Sequence, residues 1–323
     1  MTPIDLLSAP LFVSWQMTRD CDLACLHCCT DSAPGKRLAD ELNEAEAMAL
    51  AMEIVRAEVP YVMLCGGEPL LVPHFLKIAE FLGGQGVQLK IESNGQALDA
   101  RLVERLARLP IRSIQISLDG DTQEIYGQQR PGASLARAHD ACKAVRAAGL
   151  PLEITFAPTR LNLHQAEAVI ERARAFGAFR FNSGQLMFIG RAAQLWRKIA
   201  PDQESVLRFR QMLDRRARSV DAGMEFCHDP FTVEDALRRC LQSPPATLLV
   251  LPNGWVKVAA AIGAVCADLR RDSLAEAWRA YRAAWRDERV IAAIERAVSD
   301  VAVHAAANHW QPLVKGVAEK CAL

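Results

Sequence analysis

Apolar residues along the chain fall into two alternating rhythms. Short runs rich in Val, Ile and Phe lie at 12–18, 61–65, 88–92, 113–118, 152–157 and 180–186, with the length and residue types of strands. Between them, at 41–58, 75–82, 100–109, 134–148 and 165–176, apolar positions recur at helical spacing. Strands alternating with helices of this length predict βαβ units on a parallel sheet. Six such units occupy about the first 190 residues. A closed eight-fold barrel needs about 250 residues. The predicted fold class is therefore α/β, as a partial (β/α)6 TIM-like barrel.

Past residue 191 the rhythm changes. A charge-rich helix is predicted over 201–220, and short strands over 224–227 and 247–251. Pro252-Asn253-Gly254 is a turn signal, from which 255–258 returns as the second strand of a hairpin. Helical patterns follow near 273–285 and 289–298. The predicted division is a barrel over 1–195, a linker helix over 196–225 and a smaller α+β domain over 226–323.

Composition narrows the function classes. The chain has 323 residues, enough for a sizeable core. Lys+Arg and Asp+Glu are 38 each, so net charge gives no drive toward nucleic acid or an anionic membrane. No uncharged apolar run reaches about 18 residues, so no membrane span is expected. MTPIDLLSAPLFVSW lacks the basic start and apolar stretch of a signal peptide, and a cytoplasmic location is expected. In such a chain, grouped cysteines point to metal or catalysis rather than disulfides.

Cys21, Cys25 and Cys28 form such a group, C-x3-C-x2-C, directly after the first predicted strand. Thiolates suit zinc or iron–sulfur clusters. Three on one loop leave a four-iron cube with one open iron. A zinc site wants four donors, and the neighbours His27 and Cys29 are poorly spaced to supply a fourth. A redox pair of Cys25 and Cys28 is the other alternative, but leaves Cys21 unexplained. Further punctuation stands just past other predicted strands: Gly66-Gly67-Glu68-Pro69, Asn94-Gly95 and Asp119-Gly120. In parallel α/β architectures the carboxyl ends of strands carry the site.

The ordered segments TRDCDLACLHCC, VMLCGGEPLL, IESNGQ and ISLDGD resemble the radical S-adenosylmethionine (SAM) superfamily over about residues 12–190. The resemblance implies a 4Fe–4S cluster on Cys21, Cys25 and Cys28, with SAM on the open iron. Reductive cleavage of SAM then gives a 5′-deoxyadenosyl radical that abstracts hydrogen from a substrate. It places His27 where a ring covers the cluster or approaches adenine. Gly66, Gly67, Glu68 and Pro69 match the segment that receives the methionine amino group. Ser93 and Asn94 fall where the ribose and methionine end are contacted. Ser117 and Asp119 face SAM, and Arg130 meets its carboxylate. Against these roles, Asn94-Gly95 and Asp119-Gly120 also read as plain turns, and Arg130 as a solvated helix cap. Nothing about folding is expected to require the Gly-Gly-Glu-Pro tetrapeptide. Cys29, Cys65 and Cys142 read as buried small hydrophobes.

The C-terminal part resembles a SPASM or twitch extension, which carries auxiliary iron–sulfur clusters. Cys240, Gly254 and position 259 fit its frame, but position 259 is Ala259, followed by Ala260 and Ala261. Natural loss and deliberate Cys→Ala replacement both account for this. A nonstandard cluster on Cys227, Cys240, Cys266 and Cys321, joined by His228, His304 or His309, is a third option.

Within the superfamily the pattern is most like the peptide-modifying maturases, such as those of pyrroloquinoline quinone and mycofactocin biosynthesis. It implies a peptide or small-molecule substrate and an external electron donor of flavodoxin or ferredoxin type. About 20 residues precede Cys21, so no peptide-recognition domain is expected to be fused there, and a separate carrier protein would supply it. Tetrapyrrole side-chain processing, oxidation of a sulfatase residue, a degenerate noncatalytic iron–sulfur protein and a zinc module stay open. Gln185, Arg191 and Glu153 are candidate acid–base groups at the barrel mouth.

Overall fold

The computed structural model describes residues 4–218, 223–228 and 231–313. Its first half runs β1 (Phe12–Gln16), α1 (Glu44–Arg56), β2 (Tyr61–Cys65), α2 (Phe75–Gly84), β3 (Gln88–Ser93), α3 (Ala100–Leu106), β4 (Ile111–Ser117), α4 (Gln123–Gln129), α5 (Leu135–Ala147), β5 (Leu152–Thr155), α6 (Ala166–Ala175) and β6 (Arg180–Ser183). The strands β1 to β6 pair in parallel in chain order. Several predicted strands overrun their carboxyl ends because those residues serve the site instead. The Thr18 hydroxyl bonds Glu41, and the Ala157 N–H turns to the Asp119 carboxylate. The helix α1 starts three residues later than its apolar pattern, because Asn43 and Glu46 close a capping box. The sequence reading missed α4, whose seven residues include Gly127 and carry no apolar stripe.

One face of the sheet buries Ile91, Ile116, Ile154 and Phe181 in the apolar core. The alternate positions form a polar ladder. Lys90 reaches Glu153 at 2.9 Å and Gln115 at 3.0 Å, and Asn182 reaches Glu153 at 2.6 Å and Gln115 at 2.8 Å. Glu153, considered above for acid–base work, is thus fully engaged inside the fold. Although burial pushes its carboxyl up, these bonds and the Lys90 charge hold it below its ordinary value.

The chain continues through two short turns, α7 (Arg191–Gln194) and α8 (Trp196–Ile199), to α9 (Gln203–Arg218) and β7 (Glu225–His228). Here the structure departs from the predicted division. β7 pairs in parallel with β6, so the expected linker helix is the crossover of another βαβ unit. Its many arginines masked an apolar side, Phe209, Met212 and Leu213, that is buried. After α10 (Val233–Gln242), β8 (Thr247–Val250) pairs in parallel with the far side of β1. The predicted hairpin then forms, with β9 (Trp255–Lys257) antiparallel to β8. β10 (Ala264–Asp268), α11 (Leu274–Ala284), α12 (Glu288–Ser299) and β11 (Gln311–Pro312) complete the fold. The strand order is β11-β10-β9-β8-β1-β2-β3-β4-β5-β6-β7, so the extension prolongs the barrel's own sheet. Among the described residues no helix is long and apolar enough to cross a membrane.

This continuity is testable. Leu248, fully buried on β8 beside β1, should cost about 2–5 kcal/mol when changed to alanine. Urea unfolding should shift as one transition, by circular dichroism and tryptophan fluorescence alike. A separate early loss of the C-terminal signal would contradict the shared sheet.

Candidate active site

The chains leaving β1 and β2 lie against each other. The Gly67 N–H donates to the Thr18 carbonyl at 2.7 Å, and the Glu68 N–H to the Asp20 carbonyl at 2.9 Å. A Cβ on Gly66 would stand 2.6 Å from the Thr18 oxygen, and one on Gly67 1.9 Å from the Asp20 oxygen. Gly66 also holds a φ of 138°, which side chains rarely adopt. Folding therefore does require these two glycines, contrary to the expectation from sequence. Pro69 opens a short 3₁₀ turn, Pro69–Leu71, capped by Glu68.

Glu68 is fully buried and ties the ends of β2 and β3 together. Its carboxylate accepts from the Ser93 hydroxyl at 3.0 Å, the Leu70 N–H at 3.3 Å and the Asn94 N–H at 2.8 Å. Burial outweighs these bonds and pushes its carboxyl up to about 7. Asn94 in turn donates to Asp22 at 2.6 Å and approaches the Cys21 Sγ at 3.8 Å.

A second group gathers at the end of β4. Asp119, fully buried, accepts from Arg130 Nε at 2.7 Å and from the Ala157 N–H at 2.7 Å. Arg130 caps α4 as expected, yet it is buried rather than solvated. Its Nη1 lies 3.4 Å from the Cys25 Sγ and its Nη2 3.4 Å from His27 Nε2. Gln129 meets the other ring nitrogen of His27 at 2.9 Å. Burial drives His27 down to about 4, although Asp119 acts the other way. Ser117 contributes a carbonyl to the Tyr126 hydroxyl at 3.3 Å.

Each loop thiol has donors aimed at its sulfur. Leu23 N–H meets Cys21 at 3.4 Å, Arg130 meets Cys25, and Ser32 N–H and Thr30 Oγ1 each meet Cys28 at 3.3 Å. Burial pushes Cys21 up to about 12 and Cys25 up to about 11, so both are neutral thiols here and a metal would be needed to hold them as thiolates. Among the described residues no three His, Cys, Asp or Glu side chains are grouped about a single ion's position. A zinc site needs four donors at one point, whereas an iron–sulfur cube takes each thiolate on a different iron. The donor set fits the cube.

Arg191, considered above for acid–base work, is instead a clamp on the cysteine loop. Its guanidinium donates to the Cys25 and Ser32 carbonyls, both at 2.8 Å, and pairs with Asp31 at 3.0 Å. Its N–H takes the Cys28 carbonyl at 3.0 Å. Asn308, from the C-terminal part, takes the Cys29 carbonyl at 2.7 Å. The adjacent Gly190 holds a φ of 60°, and a Cβ there would stand 2.5 Å from the Cys29 oxygen. The Gly190-Arg191 pair past the sixth strand was the available signal for this clamp.

The sequence pattern described as the Radical SAM superfamily matches residues 15–173. Residues 15–173 are a radical SAM domain. It is 31% identical over 223 residues to mycofactocin maturase MftC of Mycobacterium ulcerans (strain Agy99), a match covering 69% of this chain and 60% of that protein. It is 29% identical over 209 residues to AdoMet-dependent heme synthase of Methanosarcina barkeri (strain Fusaro), covering 63% and 58%. The chain thus spans about 60% of the length of curated radical SAM relatives that it matches. Its fold is shared with Streptococcus suis SuiB bound to precursor peptide SuiA, at a TM-score of 0.70 and 16% identity over 90% of this chain and 67% of that one.

Among the described residues, the cysteines of the C-terminal part are not grouped into a set of three or more metal-ligating side chains. Cys227 is exposed on the edge strand β7, whereas Cys240 on α10 and the buried Cys266 on β10 both lie near Tyr281. Cys321 lies outside the described residues. Ala259 follows β9. His228 pairs with Asp214 at 3.1 Å, and His304 Nε2 bonds the Ala297 carbonyl at 2.8 Å.

Two outcomes follow from this geometry. Arg191→Met should weaken iron retention after reconstitution by about 10–100-fold, the usual scale for an outer support, with circular dichroism unchanged. Unaltered iron affinity would remove Arg191 from the loop's support. His27, near 6.5 when unfolded and about 4 when folded, stays neutral at pH 7. The unfolded chain binds the extra proton between those values, so the metal-free protein should lose stability as pH falls from 6.5 toward 4. His27→Phe should flatten that slope in urea midpoints, and an unchanged slope would contradict His27 as its source.

Proposed function

We propose that this chain is a radical SAM enzyme that modifies a ribosomally made peptide or protein. The observation that carries the reading is the cysteine loop itself, with three sulfurs supplied with donors and the backbone held by Gly66–Glu68 on one side and Arg191 on the other. In this reading Cys21, Cys25 and Cys28 hold the 4Fe–4S cluster. When bound, the cluster and SAM supply reductive cleavage to a 5′-deoxyadenosyl radical, which takes hydrogen from the substrate. The protein's part is placement and dryness. Glu68 holds Ser93 and Asn94 at the edge of the methionine and ribose site. Asp119 holds Arg130 charged beside Cys25, where a guanidinium can also meet a SAM carboxylate. His27, kept neutral, packs its ring beside that guanidinium.

The choice of a peptide rests on relatives and on a cavity. A space of about 340 Å³ opens past the ends of β5, β6 and β7. Pro158, Leu186, Phe188, Trp196 and Phe209 line it, and among the described residues Arg210 is its one guanidinium, beside the imidazoles of His228 and His304. Apolar walls of this size suit amino-acid side chains. Haem-type tetrapyrrole processing is the second reading, favoured by the heme synthase relative. A macrocycle with several carboxylate arms finds a single guanidinium here. We further propose that the C-terminal frame is empty, because Ala259 stands at the expected auxiliary ligand position. An external electron donor and a separate peptide carrier belong to the same reading.

Anaerobic reconstitution followed by assay with SAM and a strong reductant tests the function. The parent protein should release 5′-deoxyadenosine, and Cys25→Ala should not. Zinc in place of iron, or an iron-loaded parent that releases none, overturns the reading.

A further inference from the structure

The hairpin that lacks the auxiliary thiolate carries a buried cation. Lys257, on β9 two residues before Ala259, is only 3% exposed. Its ammonium donates to the Ala260 carbonyl at 2.8 Å, and among the described residues it has no carboxylate within ion-pair distance. An isolated buried charge is expensive, by several kcal/mol even after relaxation, and a chain that retains one has a use for it or a partner to come. Burial pulls the lysine down to about 8, with Cys29 acting the other way.

The surroundings indicate the partner. Lys257 faces a cavity of about 40 Å³, room for a few waters. The cavity is also lined by Cys29, Thr30 and Ser32. Thr30 and Ser32 are the residues that reach the Cys28 sulfur, each at 3.3 Å. One layer of loop therefore separates the ammonium from the sulfur of an assigned ligand. A 4Fe–4S cluster with three thiolates carries net negative charge, and reduction adds one more.

We propose that Lys257 is a second cationic partner of the cluster, beyond Arg130, and raises its reduction potential from behind the cysteine loop. The inference rests on the functional reading above. A cation held in a low-dielectric site favours the state with the extra electron. The hairpin that departs from the auxiliary-cluster frame thereby serves the first cluster electrostatically. Lys257 is a positioning residue for charge and touches no reacting atom.

The test is an EPR-monitored potentiometric titration of the reconstituted protein at pH 7. Lys257→Gln keeps a donor for Ala260 and removes the charge, so its midpoint should move to a more negative potential than the parent's. Lys257→Arg should stay near the parent. Equal midpoints in the parent and the glutamine variant, with SAM cleavage intact, overturn the inference and leave the functional reading standing. If the glutamine variant loads no cluster, Lys257→Met serves as a second neutral variant. Loss of the cluster in both, with retention in the arginine variant, supports the charge role. Loss in all three makes Lys257 a packing residue and overturns it. A parent that loads no four-iron cluster overturns the functional reading and this inference together.

Discussion

The backbone contact between residues 66–68 and 18–20 sets the place of everything else in the site. Two hydrogen bonds, Gly67 to Thr18 and Glu68 to Asp20, bring the chain leaving β2 against the chain that leads into Cys21. No Cβ fits at either glycine. The cysteine loop is thereby hung from two adjacent parallel strands. Glu68 then carries the same constraint sideways to β3 through Ser93 and Asn94. A single tetrapeptide thus serves folding and site geometry at once, and its two uses cannot be separated by asking which one it is for.

The opposite side of the loop depends on residues far away in the chain. Arg191 holds three of its carbonyls, at Cys25, Cys28 and Ser32, and Asn308 holds that of Cys29. The loop buries Cys21, Leu23 and Cys25 in the core but leaves backbone carbonyls that it does not satisfy itself. Its carbonyls are secured by partners from the end of β6 and from the C-terminal part. That dependence gives the extension a structural reason to prolong the barrel's sheet, whether or not it holds a metal.

Much of this was legible in the chain because it is local. Apolar runs marked β1 to β6, and turn residues past their ends marked the segments that meet in space. Strand ends were misjudged where side chains of the site claim the backbone, as Asp119 claims the Ala157 N–H. The crossover role of α9 was hidden by its arginines, since its apolar side is narrow. Arg191 and Lys257 were not assigned their settings for a different reason. Each acts on a loop far earlier in the chain, 159 to 166 residues back for the carbonyls that the Arg191 guanidinium holds, and no spacing rule connects them. Arg130 was read correctly as a cap in position, but its burial comes from Asp119, which only the folded chain brings to it.

The central claim is that one loop, held on both sides, presents one cluster with an open iron. The most direct measurement is EPR of the reconstituted, reduced protein with and without SAM, alongside iron and sulfide counts. The account predicts about four irons per chain and a single 4Fe–4S signal that changes when SAM is added. About eight irons, or a signal indifferent to SAM, would contradict it.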